Sequence, residues 1–198
     1  MMYFKNLATP VAMMLALALG ACSNTVSDLA YMPQVAVQPA AAPTVASVTA
    51  TDQRKEEPTR LATIMGGFGN PLKTLDTAKP VKDEVATAFA AGLRARGLLA
   101  PSDQAPYRIE LLVRKFDADM IIGRTARIDL GLSVLDTSGR TVYQDSATDS
   151  ESETKFFETG VFADIADLQK MCEIVLNRTV DRMLDKPAFR AAIQSAGR

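Results

Sequence analysis

Apolar and polar residues alternate most regularly between positions 126 and 134, where Ala126, Ile128, Leu130, Leu132 and Val134 are separated by Arg127, Asp129, Gly131 and Ser133. A period of two predicts a strand with one buried face. The same period sets Tyr107, Ile109, Leu111 and Val113 against Arg108, Glu110, Leu112 and Arg114, and 115–119 is expected to prolong that strand. An apolar bend at 120–123 joins the two. Asp136-Thr137-Ser138-Gly139 has the composition of a hairpin turn, after which 140–147 returns as a weaker strand. Consecutive strands with short connections predict an antiparallel meander. Upstream, the β-branched alternation of 44–51 predicts a first strand, and 61–65 a short second one.

The period becomes helical in two places. Val81, Val85, Ala88, Phe89, Gly92 and Leu93 share one face of a helix predicted over 81–96, with Pro80 at its start and Gly97 just past its end. Lys82, Asp83, Arg94 and Arg96 fall on its polar face. Ile165, Leu168, Cys172, Val175, Thr179 and Met183 form the stripe of a second helix over 164–184. Met171, Leu176 and Val180 widen that stripe, and Asp164 suits the N-cap. A short terminal helix over 187–196 places Phe189 and Ile193 four apart. Two helices with one apolar stripe each cover one face of one sheet. The expected fold class is therefore α+β in two layers: a mainly antiparallel sheet of about four strands with two long helices packed on one face.

The N-terminal pattern is of another kind. Lys5 precedes an uncharged apolar run at 11–19, which ends in the small residues Gly20 and Ala21. This is the tripartite arrangement of a secretory signal. The run is shorter than the roughly 20 residues that a membrane-spanning helix needs. Leu19-Gly20-Ala21-Cys22 resembles the lipobox of bacterial lipoproteins. The resemblance implies cleavage between Ala21 and Cys22 and a diacylglycerol on the Cys22 thiol. Ser23 in the next position implies passage to the outer membrane, on its periplasmic side, where Asp would imply retention at the inner one. Each buried CH₂ contributes about 0.8 kcal/mol, so two or more acyl chains anchor a protein stably. Residues 23–43 are rich in Ala, Pro and small polar residues, carry Asp28 as their one charge, and predict a flexible or extended tether. The expected organisation is a signal peptide at 1–21, a lipidated Cys and flexible tether at 22–43, and a single α+β domain at 44–198.

Composition narrows the chemistry. Of 198 residues, 177 follow residue 21, enough for one domain with a core. Only Lys5 leaves with the leader, so 21 Lys and Arg stand against 23 Asp and Glu. That balance argues against a nucleic-acid partner, which calls for a basic excess. The chain has no His, and so lacks the commonest general base near neutral pH and the commonest metal ligand. With Cys22 lipidated, Cys172 has no partner for an internal disulfide and reads as a buried apolar residue. No catalytic constellation, metal site or cofactor is expected.

Three segments remain as candidates for binding. Gly66-Gly67-Phe68-Gly69-Asn70-Pro71 is a glycine-rich loop. A phosphate-binding loop needs Lys and Ser or Thr directly after its last Gly, so a turn requiring positive φ is expected instead. Residues 145–153 hold four acids and no base, without the spacing of a calcium-binding loop, and predict a solvated edge strand running into a loop. Phe156 and Phe157 then break the polarity. The candidate binding residues are Gly66, Gly67, Phe68, Gly69, Phe156 and Phe157. The charged sheet face of Arg108, Glu110, Arg114, Arg127 and Asp129 is a further candidate for contact, or equally a plain solvated surface.

Several of these features together resemble the YajG-type family of envelope lipoproteins. They are the lipobox, the strand at 48–54 ending in Asp52-x-Arg54, and the Gly69-Asn70 loop before a helix. The others are Ala95-Arg96-Gly97, the three-strand meander and the closing helix pair. The resemblance covers about 45–198. It implies a two-layer domain of the kind found in lipoproteins that assist envelope transport and outer-membrane assembly, and no defined activity. Asp52 and Arg54 are expected to form a structural ion pair that closes the first strand. The function expected is a non-catalytic outer-membrane lipoprotein that faces the periplasm, held to the membrane by Cys22, with an envelope protein as partner. In its sharper form it is a subunit of a transport or lipopolysaccharide-assembly complex. The alternative is an enzyme acting on envelope lipid or peptidoglycan, built on a carboxylate pair or a Ser-Lys arrangement.

Overall fold

Seven strands and three helices form among residues 23–33, 42–66, 68–120, 123–153 and 164–194, which the computed structural model describes. In chain order they are β1 (Ser23–Ser27), β2 (Val45–Asp52), β3 (Arg60–Met65), β4 (Pro71–Thr77) and α1 (Val81–Ala95). There follow β5 (Tyr107–Met120), β6 (Arg124–Leu135), β7 (Thr141–Glu153), α2 (Ile165–Leu184) and α3 (Pro187–Gln194). The strands make one open sheet in the order β1-β4-β3-β5-β6-β7, with β2 also paired to β5.

The α+β class stands, but the expected sheet of about four mainly antiparallel strands is corrected to a mixed sheet of seven, and the two long helices are joined by the short α3. The meander β5-β6-β7 is antiparallel as expected. β2 and β3 both pair in parallel with β5, and β1 with β4. The chain between β2 and β5 includes α1, long enough to bring a strand back in the same direction. β2 lies along Tyr107–Val113 of β5, and β3 continues the same edge at Ala118–Met120.

All three helices share one face of the sheet. α1 packs on β2 and α2, α2 on β5, β6 and β7, and α3 on β7. The core beneath them includes Ile109, Leu111, Val113, Phe116, Ile128, Leu130 and Val134 from the sheet, with Phe89, Leu93, Leu168, Cys172, Val175 and Phe189 from the helices. β5 keeps its apolar side inward over 14 residues because a bulge between Val113 and Lys115 absorbs one residue, so that Val113 and Phe116 are both buried. The opposite face carries Arg108, Glu110 and Arg114 to solvent.

The tether expected at 22–43 is corrected where the structure describes it. Ser23–Ser27 forms a parallel ladder with Lys73–Thr77. Beyond it the chain runs along α2. The Gln169 side-chain amide donates to Asp28 O at 3.3 Å, Ala30 N–H to Glu173 Oε1 at 3.2 Å and Met32 N–H to Asn177 Oδ1 at 3.2 Å. A ladder uses backbone groups, which every sequence has, so a polar segment of low complexity still pairs where a sheet edge is open. The expected signal peptide, Ala21, Cys22, Gly67, Phe156 and Phe157 lie outside the described residues.

Candidate functional site

The glycine-rich loop is the tight turn between β3 and β4. Gly66 N–H donates to Asn70 O at 2.7 Å and Gly69 N–H to Gly66 O at 2.9 Å, so these amides close the turn rather than face a ligand. Gly69 sits at φ 78°, the left-handed region that glycine alone adopts freely. The fold brings Gly66, Phe68 and Gly69 together, and leaves the Phe68 ring wholly exposed at the tip (102%).

The charged face of the sheet forms a shallow groove of about 510 Å³ over β5, β6 and β7, lined in part by Glu110, Arg114, Gly131, Ser133 and Gln144. Arg114, Lys115 and Arg127 on this face are matched by neighbouring acids. Arg114 donates to Asp129 Oδ1 at 3.1 Å and to Leu130 O at 3.3 Å. Arg127 bonds Asp119 and lies 3.4 Å from Asp117, which also has Lys115 at 3.4 Å. The surface is a lattice of neighbouring ion pairs.

The acidic run at 145–153 is edge strand throughout, within β7. Its acids are not simply solvated, as expected, because alternate residues turn toward α2. Arg178 donates to Asp149 at 2.5 Å and to Glu151 at 3.0 Å, and Lys186 to Asp145 at 2.7 Å. These cations, two helical turns apart, neutralise the strand. Among the described residues no cluster of Cys, Asp or Glu is arranged to hold a metal ion.

Three arginines with buried side chains tie the elements together. Arg54 does close β2 with Asp52: its Nε and Nη2 donate to the carboxylate at 3.0 and 2.9 Å. It also does more. Nη1 reaches Arg60 O at 2.8 Å and Phe116 O at 3.1 Å, and Nη2 reaches Pro58 O at 3.0 Å. Arg54 therefore fills the gap on the β5 edge between the end of β2 and the start of β3. Burial by itself would raise the Asp52 carboxyl, but the Arg54 hydrogen bonds outweigh it and hold it below the usual carboxylate range.

Arg96 was expected on the polar face of α1, and is instead buried (1% exposed). Its guanidinium donates to Asp185 at 2.9 and 2.7 Å, to Asp181 Oδ1 at 2.8 Å, to Gly92 O at 3.1 Å and to the Tyr31 hydroxyl at 3.2 Å. Burial opposes its charge, but the bonds to Asp185, Asp181 and Tyr31 prevail and raise its pKa. The Tyr31 hydroxyl in turn donates to Asp181 Oδ1 at 2.6 Å, and burial together with that bond pushes its pKa up to about 12. Arg124, also buried, joins β6 to the first turn of α2 through Asp167 at 2.6 Å. Spacing along the chain shows neither the Arg96 nor the Arg124 junction, since their carboxylate partners lie on other elements. Cys172 is buried as expected, and burial pushes its thiol well above the ordinary range.

Comparison with known proteins places this fold. No curated protein matches the sequence. A solved structure from Xanthomonas campestris, with the family model DUF330, superimposes with a TM-score of 0.65 at 16% identity, over 88% of this chain and 99% of that one. A second, of an uncharacterized protein, superimposes with a TM-score of 0.51 at 8% identity, over 81% and 96%. A minor lipoprotein from Acinetobacter baumannii gives a TM-score of 0.40 at 14% identity, over 55% and 86%. At these identities the first two show a shared fold and nothing about activity. Among the described residues no helix is long and apolar enough to cross a membrane. The model of the family described as uncharacterized lipoprotein matches residues 32–194, most of the chain, and the protein belongs to that family, Lipoprotein_16.

Proposed function

We propose that this is a YajG-type outer-membrane lipoprotein, anchored by a diacylglycerol on Cys22, whose domain faces the periplasm. It is a non-catalytic binding module that assists envelope assembly or transport by holding another envelope protein. The observation that carries this reading is the lipobox cysteine placed directly before a domain of a lipoprotein family. The polar chemistry of the domain supports it: Arg54, Arg96 and Arg124 are spent on joining β2 to β3, α1 to α2 and β6 to α2. The surface that remains for a partner is the charged face of β5 and β6.

Photo-crosslinking in intact membranes, followed by affinity capture of the wild type beside Cys22→Ala, tests it. The expected result is one protein partner in stoichiometric yield, caught only by the wild type. Capture of the same partner by both forms, or of none by either, would overturn the reading.

A further inference from the structure

We propose that the end of the sheet bearing the β3–β4 turn faces the membrane, and that Phe68 at its tip enters the lipid surface. This rests on Cys22 being the anchored residue. β1 runs parallel to β4, with Ser23 opposite Lys73 and Ser27 opposite Thr77. Lys73 is two residues from Pro71, where the turn ends, a distance of about 7 Å along a strand. Cys22 is joined to Ser23 by one peptide bond, so their Cα atoms are about 3.8 Å apart. The acyl chains therefore leave the domain level with the turn, and no slack chain separates the anchor from the sheet.

The orientation is imposed by structure on both sides of that point. Five residue pairs hold β1 to β4, and the Thr74 hydroxyl donates to Asn24 Oδ1 at 3.3 Å. The segment beyond β1 is fastened to α2 and ends at Tyr31 in the Arg96 junction. The turn is equally defined, by the Gly66–Asn70 and Gly66–Gly69 hydrogen bonds. Phe68 is the most exposed large apolar residue described, ahead of Met32 at 64% and Val26 at 61%. An aromatic ring on a hydrogen-bonded turn beside a lipid anchor has its apolar environment at hand, in the boundary between headgroups and acyl chains. The hairpin at Asp136 and Gly139 lies at the far end of the β5–β6 pair, where Arg108 is opposite Leu135. A strand of 14 residues spans about 45 Å, so that hairpin is held well away from the same surface.

The chain contains no Trp, so one substitution installs a single reporter. The full-length Phe68→Trp protein and a Thr137→Trp control are expressed with the leader and purified in detergent. Each is reconstituted into phosphatidylethanolamine–phosphatidylglycerol vesicles containing brominated phosphatidylcholine. The expected result is blue-shifted emission from Phe68→Trp, quenched at least twofold by the brominated lipid, with Thr137→Trp unquenched. If both proteins float with the vesicles and carry lipid on Cys22 but the two reporters behave alike, the orientation is wrong while the anchor stands. If neither floats and Cys22 is unmodified, the anchor reading fails and this inference falls with it.

Discussion

Tyr31 and Asp181 stand 150 residues apart in the chain and share a hydrogen bond of 2.6 Å. Arg96 donates to the same carboxylate oxygen at 2.8 Å. The segment that follows β1 is thereby locked to α2, through a guanidinium at the end of α1. The junction couples that segment to the core.

Removing the guanidinium takes the shared cation from Asp181 and Asp185, both largely covered, and leaves them Tyr31 and Arg190 in its place. Breaking a buried pair on one side costs about 3–5 kcal/mol. Arg96→Ala is expected to lower stability by that amount in urea titration. Arg96→Lys recovers only part of it, because one ammonium cannot reproduce the fork that meets Asp185, Asp181 and Tyr31. Tyr31→Phe removes one hydrogen bond to a charged group, and is expected to cost about 1–2 kcal/mol.

Both ends of the pH scale report on the same junction. The Arg96 bonds, and then those from Arg190, hold the Asp185 carboxyl below its usual range. Its contribution is complete above about pH 4, the unfolded carboxylate value, and is lost as pH falls through the lower folded value. Tyr31 has the opposite sign. Folding favours its neutral form, so its contribution is complete below about pH 10 and is lost as pH rises toward the folded value of about 12. Urea midpoints measured against pH should fall at both extremes, and Tyr31→Phe should flatten the alkaline limb between about pH 10 and 12.

Arg54→Ala is expected to be as damaging as Arg96→Ala. It uncovers three backbone carbonyls at the β2–β3 break and leaves Asp52 only 18% exposed with its cation gone. A loss of about 3–5 kcal/mol is expected. Amide hydrogen exchange should show the change first in Arg60 to Ile64 and on the facing edge of β5.

Two glycines separate tight packing from tolerated space. A Cβ on Gly92 would stand 2.8 Å from Leu184 Cδ1 and 3.0 Å from both the Tyr31 hydroxyl and Val180 Cγ1. Overpacking of that kind costs about 1–3 kcal/mol, against about 1 kcal/mol regained from helix propensity. Gly92→Ala is therefore expected to destabilise by about 1 kcal/mol and to loosen the Tyr31 segment to protease. At Gly131 the near neighbour is the Arg114 Nη1 at 2.9 Å, the far end of a flexible side chain. Gly131→Ala should leave the unfolding free energy from urea titration within about 0.5 kcal/mol of wild type.

The elements that buried one regular stripe were legible in the chain. The strict alternation of Ala126 to Val134 and the helical spacing of Ile165 to Met183 marked β6 and α2. β4 was not legible, because its burial passes from exposed at Pro71 to three consecutive buried residues, Leu75, Asp76 and Thr77, with no period of two. β1 was hidden for another reason: it is a short edge strand of Ser, Asn and Thr around one Val, held by backbone pairing. Arg96 was misplaced because helical spacing describes one helix, while its burial is created by Tyr31, Asp181 and Asp185 from elsewhere. The acids of β7 were visible, but Arg178 and Lys186, which neutralise them, are 27 to 41 residues away. Of the candidate site, the turn was legible from Gly69 and its neighbours. That Phe68 and the start of β1 share one end of the sheet was not, since it depends on a parallel register between distant segments.

In the proposed function Cys22 carries the anchor and fastens this domain directly to the membrane. Mass spectrometry of the mature N-terminal peptide from the membrane fraction, with Cys22→Ala beside it, tests this most directly. The expected result is a chain beginning at Cys22 with a diacylglyceryl group on its thiol, and release of Cys22→Ala to the soluble fraction. A membrane-bound chain with an unmodified Cys22, or one beginning at another residue, would contradict it.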